Sequence, residues 1–367
     1  MKGLTEREHE ILQMIEINPT ISREMIANEL GISKSAVGTH LHNLTQKGYL
    51  LGRGYVIAPR KEIAVVGGSN IDLKGYSKNY LTKTSNPGKI VESLGGVGRN
   101  IAENLGNLGD EVVFLTAVGD DHFGEILLSE TAKSGVNIDY VKKINNKRTG
   151  IYLAHLDSSG ELIGAISDMD ILNEIDQKYI ENHYQIIRQS SIVVLDTNLT
   201  KKTIKYILDI VQKNNLLVVV EPVSIEKAKK LKPHLKQVDF ITPNIAEAEV
   251  LLGREVWNNK DLPSRRKRIE QTYNDMDISL AMIITCGSKG AILLTEESSC
   301  LVSSAEISKA EINETTGAGD ALTAGLVSSL VSGKNLLNSV KFGIKAAVAT
   351  IKSEDTANPD LARELEG

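Results

Sequence analysis

The sequence predicts an α/β fold, a mostly parallel central sheet with helices on both faces and a small β lid, preceded by a small helical module. Three observations carry this. From about residue 61 onward, apolar runs of four to six residues alternate with stretches of helical period. Two segments, about 71–92 and 149–169, break that alternation with strand patterns of their own. The first 57 residues follow another rhythm, three helical stretches and a hairpin. Composition agrees: 41% hydrophobic and 24% charged residues with 30 Gly and 8 Pro belong to a globular chain, which excludes disordered and collagenous classes. No apolar run approaches the roughly 18 residues of a membrane span. The opening MKGLTEREHE places charge where a secretory signal has an apolar core, so the expected location is cytoplasmic. Cys286 and Cys300 lack metal or disulfide-framework spacing and are expected to be plain thiols. A net charge of -5 excludes a whole-chain nucleic-acid role and leaves room only for a local DNA site.

In chain order, Thr5 and Glu8 form a capping box ahead of Leu4, Ile11, Leu12 and Ile15, and Asn18-Pro19 stops that first helix. A second helix runs from about Ser22 to Leu30 and ends at Gly31; a third runs from Ser33 to about Gln46 with Val37, Leu41 and Leu44 inward. Gly48-Tyr49-Leu50 and Gly54-Tyr55-Val56-Ile57 read as a wing. Ser33, Lys34, Ser35, Thr39 and His40 open the third helix and are the candidate DNA contacts. This run resembles the winged helix-turn-helix of bacterial regulators, with a three-helix docking module as the competing reading. Through Arg60 there are seven Lys/Arg against six Asp/Glu, so DNA affinity would need a dimer. His40 and His42, two apart on a helix, face different ways and do not suit a shared metal.

Strands are expected at Ile63–Val66, Val112–Ala117, Ile192–Leu195, Leu216–Val220, Phe240–Thr242 and Met282–Thr285. Helices such as Ile101–Leu108, Ile204–Val211 and Ile245–Leu252 lie between them. Ligands in open α/β sheets gather at strand C-terminal ends, which makes Asn70 and Asp72, after the first strand, candidates for holding substrate hydroxyls.

The strongest chemical signal is Asn313-Glu314-Thr315-Thr316-Gly317-Ala318-Gly319-Asp320 before a helix. Gly317, Ala318 and Gly319 let backbone N–H groups converge on an anion, and Asp320 is placed to accept a proton from an attacking hydroxyl. Leu94-Gly95-Gly96-Val97-Gly98-Arg99-Asn100 precedes another helix; Gly95 and Gly96 would admit a polyol closely, and Asn100 would bond its hydroxyls. The cluster lacks a dinucleotide fingerprint, and no P-loop motif exists. Thr242-Pro243-Asn244-x-x-Glu247 puts Asn244 and Glu247 on one side of a helix start, suiting Mg²⁺ through water, with a plain helix cap as the alternative. Thr285-Cys286-Gly287-Ser288-Lys289-Gly290 is a strand-end turn suited to bordering a nucleotide through Thr285, Gly287 and Gly290.

Together these motifs resemble the ribokinase-like (PfkB) sugar and nucleoside kinases over residues 61–367. Within that family Asn70-Ile71-Asp72, Ser85-Asn86-Pro87-Gly88-Lys89, the 95–105 run and Asn358-Pro359-Asp360-Leu361 look like a pseudouridine kinase. The resemblance implies a ribokinase-like sandwich over 59–367, lidded by 71–92 and 149–169, after a winged helix-turn-helix over 1–58. It implies ATP-dependent phosphorylation of a ribose 5′-hydroxyl, with Asp320 as base and the 317–319 amides as anion hole. Asn70, Asp72, Gly96 and Asn100 would meet the ribose, and Ser85–Lys89, Lys89 above all, the base. The implied cofactors are ATP and Mg²⁺; the family's monovalent-cation site, for K⁺, is altered here, with Glu314 where many relatives have Asp. Glu221 likewise replaces a common Asp. A homodimer through paired lids is also implied. The competing readings are a transcription regulator with a kinase-like sensor, and a kinase for another nucleoside or a pentose.

Overall fold

The computed structural model describes residues 4–50, 62–78, 80–253, 262–276, 278, 280–312, 315–353 and 355–366. The chain divides into two compact units, Met1–Arg60 and Lys61–Gly367.

In the first unit the expected capping box closes the helix Glu6–Ile17, with Thr5 Oγ1 accepting from the Glu8 amide. Ser22 and Ser33 cap Arg23–Leu30 and Lys34–Gln46, and Gly31 takes the left-handed conformation, φ 63°, that a tight inter-helix turn demands. Ile11, Ile15, Ile26, Val37 and Leu44 are fully buried and form the unit's own core. The expected wing strand at 54–57 lies outside the described residues.

In the second unit the strands are β1 (Ile63–Val66), β2 (Asn70–Ser77), β3 (Gly88–Gly95), β4 (Val112–Leu115), β5 (Ala117–Gly119), β6 (Lys142–Ile144) and β7 (Ile151–Leu156). They continue with β8 (Leu162–Asp168), β9 (Ile192–Asp196), β10 (Leu217–Glu221), β11 (Phe240–Ile241), β12 (Ala281–Thr285), β13 (Ala291–Leu294) and β14 (Ser299–Val302). The central sheet runs β14-β13-β12-β11-β10-β9-β1-β4. It is parallel from β12 to β4, with β13 and β14 antiparallel at one edge.

Two details differ from the sequence expectation. Val112–Ala117 is not one strand: the chain leaves the sheet at Thr116, and Ala117 starts a separate pair with β6. The edge hairpin β13–β14 was not foreseen, because Ala291–Leu294 is a four-residue apolar run with no helical or alternating period to mark it.

Side chains alternate across the sheet, and so does the core. Ala64, Val66, Val193, Leu195, Val218 and Val220 pack on one face. Ile63, Val65, Ile192, Val194 and Val219 pack on the other, with residues of the helices Val97–Asn107 and Ala318–Val331. On that second face the next residues of β9 and β10 in the same parity are Asp196 and Glu221. The apolar rows therefore end in carboxylates at the strands' C-terminal edge, beside those two helices.

The segments that break the α/β rhythm form a separate four-stranded sheet, β3-β2-β7-β8. Its inner end packs Ile71, Leu73 and Leu94 against the helix His122–Lys133. Its outer reaches leave Ile90 and Ile166 exposed.

Candidate active site

The helix Ala318–Val331 begins at Gly317, whose φ of 88° only glycine adopts easily. A Cβ there would also overlap the Thr356 carbonyl oxygen, so the turn that presents the amides of Ala318 and Gly319 depends on glycine twice over. Asp320 follows in the first turn and is buried. Burial pushes its carboxyl up to about 7, and Asp196 and Asp72 push the same way against one opposing contact, the hydrogen bond from Asn100. Asn100 Nδ2 donates to Asp320 Oδ2 at 2.8 Å.

Asn100 is held from its other side. Its Oδ1 accepts from Arg99 Nη1 at 3.1 Å and lies 3.3 Å from the Thr356 hydroxyl, which also reaches the Leu94 carbonyl. Arg99 is buried against Glu103 and Thr131. Asn70 Nδ2 donates to Asp72 Oδ1 at 2.6 Å, so the two candidates after β1 form one polar pair. The structure thus gathers Asn70 with Asp72, and Asn100 with Asp320.

For Gly95 and Gly96 it gives a different reason from the expected room for a polyol. A Cβ at Gly95 would come within 2.5 Å of the Asp72 carboxylate. One at Gly96, φ 101°, would come within 2.5 Å of Ser69 Cα. Gly95 is required by the close packing of β3 against the Asp72 side chain of β2, and Gly96 by the turn that follows β1.

Asp196 is the site residue that motif reading passed over. Its Oδ2 accepts from the amides of Gly68 at 2.7 Å and Gly98 at 2.9 Å, and its Oδ1 accepts from Asn198 N at 2.8 Å. It ties both glycine turns to the end of β9. Its place at the end of a five-residue apolar strand was the available signal, the same one that marked Asn70. Glu221, at the end of β10, accepts from the hydroxyls of Thr242 and Thr323. Burial first, and then Asp320, hold its carboxyl well above the usual range.

Asn244 and Glu247 form a reciprocal capping box: the Asn244 side chain accepts from Glu247 N, and Glu247 Oε2 accepts from Asn244 N at 2.9 Å. The cap alternative describes this geometry, and Glu247 is buried in it, its carboxyl raised by that burial. A bridge between Asn244 and Thr285 sets the cap beside the next strand-end turn. There Thr285, Gly287 and Gly290 line a cavity of about 660 Å³ with Ala318 and Gly319. Ile307, Ile312, Val348 and Ile351 give it an aliphatic wall. Among the described residues no group of three or more His, Cys, Asp or Glu side chains is placed to hold a metal ion. Glu314 lies outside the described residues.

Lys89 is not brought to Asp72. β2 and β3 pair Asp72 with Ser93 and Tyr76 with Lys89, so Lys89 stands two same-face steps further out, with Lys74 at the step between. In the first unit Ser33, Lys34, Ser35 and Thr39 are exposed, Lys34 beside Glu24 at 2.8 Å. His40 is turned partly inward, its Nδ1 buried without a hydrogen-bond partner; His42 occupies the exposed face instead. The spacing explains it, since 35, 39, 42 and 46 recur on one side of a helix whereas 40 falls next to the Val37–Leu41–Leu44 stripe.

Residues 60–363 match the pfkB family of carbohydrate kinases, and residues 2–51 match the MarR family. The chain is 31% identical over 366 residues to the uncharacterised sugar kinase YeiI of Escherichia coli, covering 98% of each. It is 36% identical over 301 residues to the pseudouridine kinase of Escherichia coli, covering 82% of this chain and 93% of that one. A carbohydrate kinase from Agrobacterium tumefaciens superposes with a TM-score of 0.68 at 28% identity, over 83% of this chain and 96% of the other. Arabidopsis thaliana ribokinase complexed with ribose and ATP superposes with a TM-score of 0.71 at 21% identity, over 84% and 99%, and shares the fold.

Proposed function

This chain belongs to the pfkB family of carbohydrate kinases and carries a MarR-family domain ahead of the kinase; from that premise we propose that it phosphorylates the ribose 5′-hydroxyl of a nucleoside, pseudouridine, with ATP as donor. The observation that carries the reading is Asp320: a buried carboxylate in the first turn of a glycine-opened helix, its proton affinity set near neutrality and its orientation fixed by Asn100. A base with a pKa near the operating pH combines a populated ionised form with a useful pull on the proton.

The nucleotide occupies the cavity bordered by Thr285, Gly287 and Gly290, whose aliphatic wall suits a base and which Ala318 and Gly319 also line. The nucleoside lies under the β3-β2-β7-β8 sheet, which serves as a lid, with its ribose at Asn70 and Asp72. As the 5′-oxygen bonds to the γ-phosphorus and the bond to the bridging oxygen of ADP breaks, Asp320 takes the hydroxyl proton. The amides at the helix start face the charge that develops on the transferring group.

Mg²⁺ fits this site as an ion carried by phosphates and water, because Asp196, Glu221, Glu247 and Asp320 make the neighbourhood rich in carboxylates while no cage forms among the described residues. Glu247 would reach it through water, and the ion would offset negative charge on the phosphates.

The test is a coupled ADP-release assay across pseudouridine, uridine, inosine, guanosine, adenosine and ribose. We expect the highest kcat/KM for pseudouridine, since a site built to bond the N1–H of a C-linked base rejects analogues lacking it strongly. Equal turnover of uridine would remove the substrate assignment and leave the kinase.

The MarR-family match and the exposed row Ser35, Thr39 and His42 favour a second role, DNA binding by a dimer. Selection of bound fragments from random duplex DNA at low salt tests it; no enrichment would favour a docking module.

A further inference from the structure

Arg99 takes no part in the chemistry proposed above, yet its guanidinium is buried and each of its three nitrogens has a partner. Nε donates to Thr131 Oγ1 at 3.1 Å, Nη2 pairs with Glu103, and Nη1 donates to Asn100 Oδ1 at 3.1 Å. A side-chain amide has a donor end and an acceptor end that exchange places on a half-turn about its last bond. A guanidinium offers donors only. Next to Arg99, Asn100 must therefore turn its oxygen toward the guanidinium, which leaves its Nδ2 facing the carboxylate of Asp320.

We propose that Arg99 is a positioning residue: by fixing which end of the Asn100 amide faces Asp320, it keeps the base supplied with a hydrogen-bond donor. This rests on the reading of Asp320 as the base. The charged groups around that carboxylate are unfavourable to its ionised form without the donor: Asp72 on β2, Asp196 on β9 and Glu221 on β10 all act on it or are acted on by it. Arg99, on the helix that carries Asn100, is the cation bonded to that amide. The Thr356 hydroxyl is a weaker guide for the amide, because its one proton is shared with the closer Leu94 carbonyl.

Removing Arg99 alone would leave Glu103 as a buried unpaired acid, so a pair of variants is needed. Arg99→Lys keeps the charge opposite Glu103 but cannot span three partners. Arg99→Met with Glu103→Met removes both charges and keeps the volume. The primary readout needs no substrate: ¹³C NMR titration of the aspartate carboxyls, with the Asp320 signal identified by its loss in Asp320→Asn. In both variants the Asp320 midpoint should rise by about one pH unit or more, the effect of losing a donor to a buried carboxylate. The rising limb of kcat against pH should move by the same amount, with activity recovered at high pH. A midpoint unmoved in folded variants, with only the melting temperature lowered, would overturn the proposal and assign Arg99 a structural role. A midpoint that moves while the wild type turns over no nucleoside or sugar would uphold the positioning and remove the kinase reading instead.

Discussion

Asp196 Oδ2 accepts a hydrogen bond from the amide of Gly98 at 2.9 Å, although the two are 98 residues apart in sequence. The same oxygen accepts from Gly68 N, so one buried atom joins the end of β9 to both glycine turns of the site. Asp196→Ala would leave two buried amides unpaired, at about 1–3 kcal/mol for each. We expect a stability loss of several kcal/mol by urea unfolding, and a smaller one for Asp196→Asn, which keeps an acceptor. A loss below about 1 kcal/mol for the alanine variant would show that water replaces the carboxylate.

Asp320→Asn should lower kcat by about 10²–10⁴ while leaving nucleoside affinity by calorimetry within a few-fold. Turnover within a few-fold of wild type would remove Asp320 as base.

Stability should move the opposite way. Asp320 has its pKa raised from 3.8 to about 7, so between those values the folded protein binds the proton more tightly than the unfolded chain. Its contribution is therefore fully favourable below about 4 and is lost as pH rises through 7. Asp320→Asn should melt above wild type at pH 8, and the gap should close toward pH 4. A constant gap would mean that the carboxyl titrates normally in the fold.

The lid register makes a prediction about the nucleoside base. Asp72 and Lys74 lie one same-face step apart on β2, about 7 Å, whereas the Tyr76–Lys89 pair is about 13 Å from Asp72 along the strand. With the ribose at Asp72, Lys74→Ala should reduce kcat/KM for the nucleoside more than Lys89→Ala, by about tenfold, with KM for ATP unaffected. The reverse order would place the base further out, at the Ser85–Lys89 turn.

In the helix-turn-helix unit, His42→Ala should weaken DNA binding more than His40→Ala, because His42 is on the exposed face of the third helix. Equal loss in both, measured by titration at several salt concentrations, would contradict the assignment of the exposed face.

The α/β order was legible because each central strand is a short apolar run ended by a polar turn, and Gly317, Gly319 and Asp320 stood out because glycines followed by an acid at a helix start make a distinctive local pattern. Asp196 and Arg99 were not. Asp196 carries only the strand-end signal and Arg99 none, and their importance comes from partners 98 and 128 residues away for Asp196, and from a guanidinium reaching across to Thr131 for Arg99. The split at Thr116 was also hidden, since Ala117 and Val118 are as apolar as the strand before them. At 95 and 96 the sequence shows a missing side chain but not the atoms beside it, the Asp72 carboxylate and the Ser69 backbone.

The Thr356 carbonyl lies against Gly317, its hydroxyl reaches the Leu94 carbonyl and Asn100, and Asn358 N donates to Asn104 Oδ1. During translation every other group described in the kinase site leaves the ribosome before residues 356–358. A nascent chain halted before Thr356 would hold Asp320 and both glycine turns without the strap that seats them. The Gly317 turn and the Asn100 amide would reach their final seats only once this segment had docked.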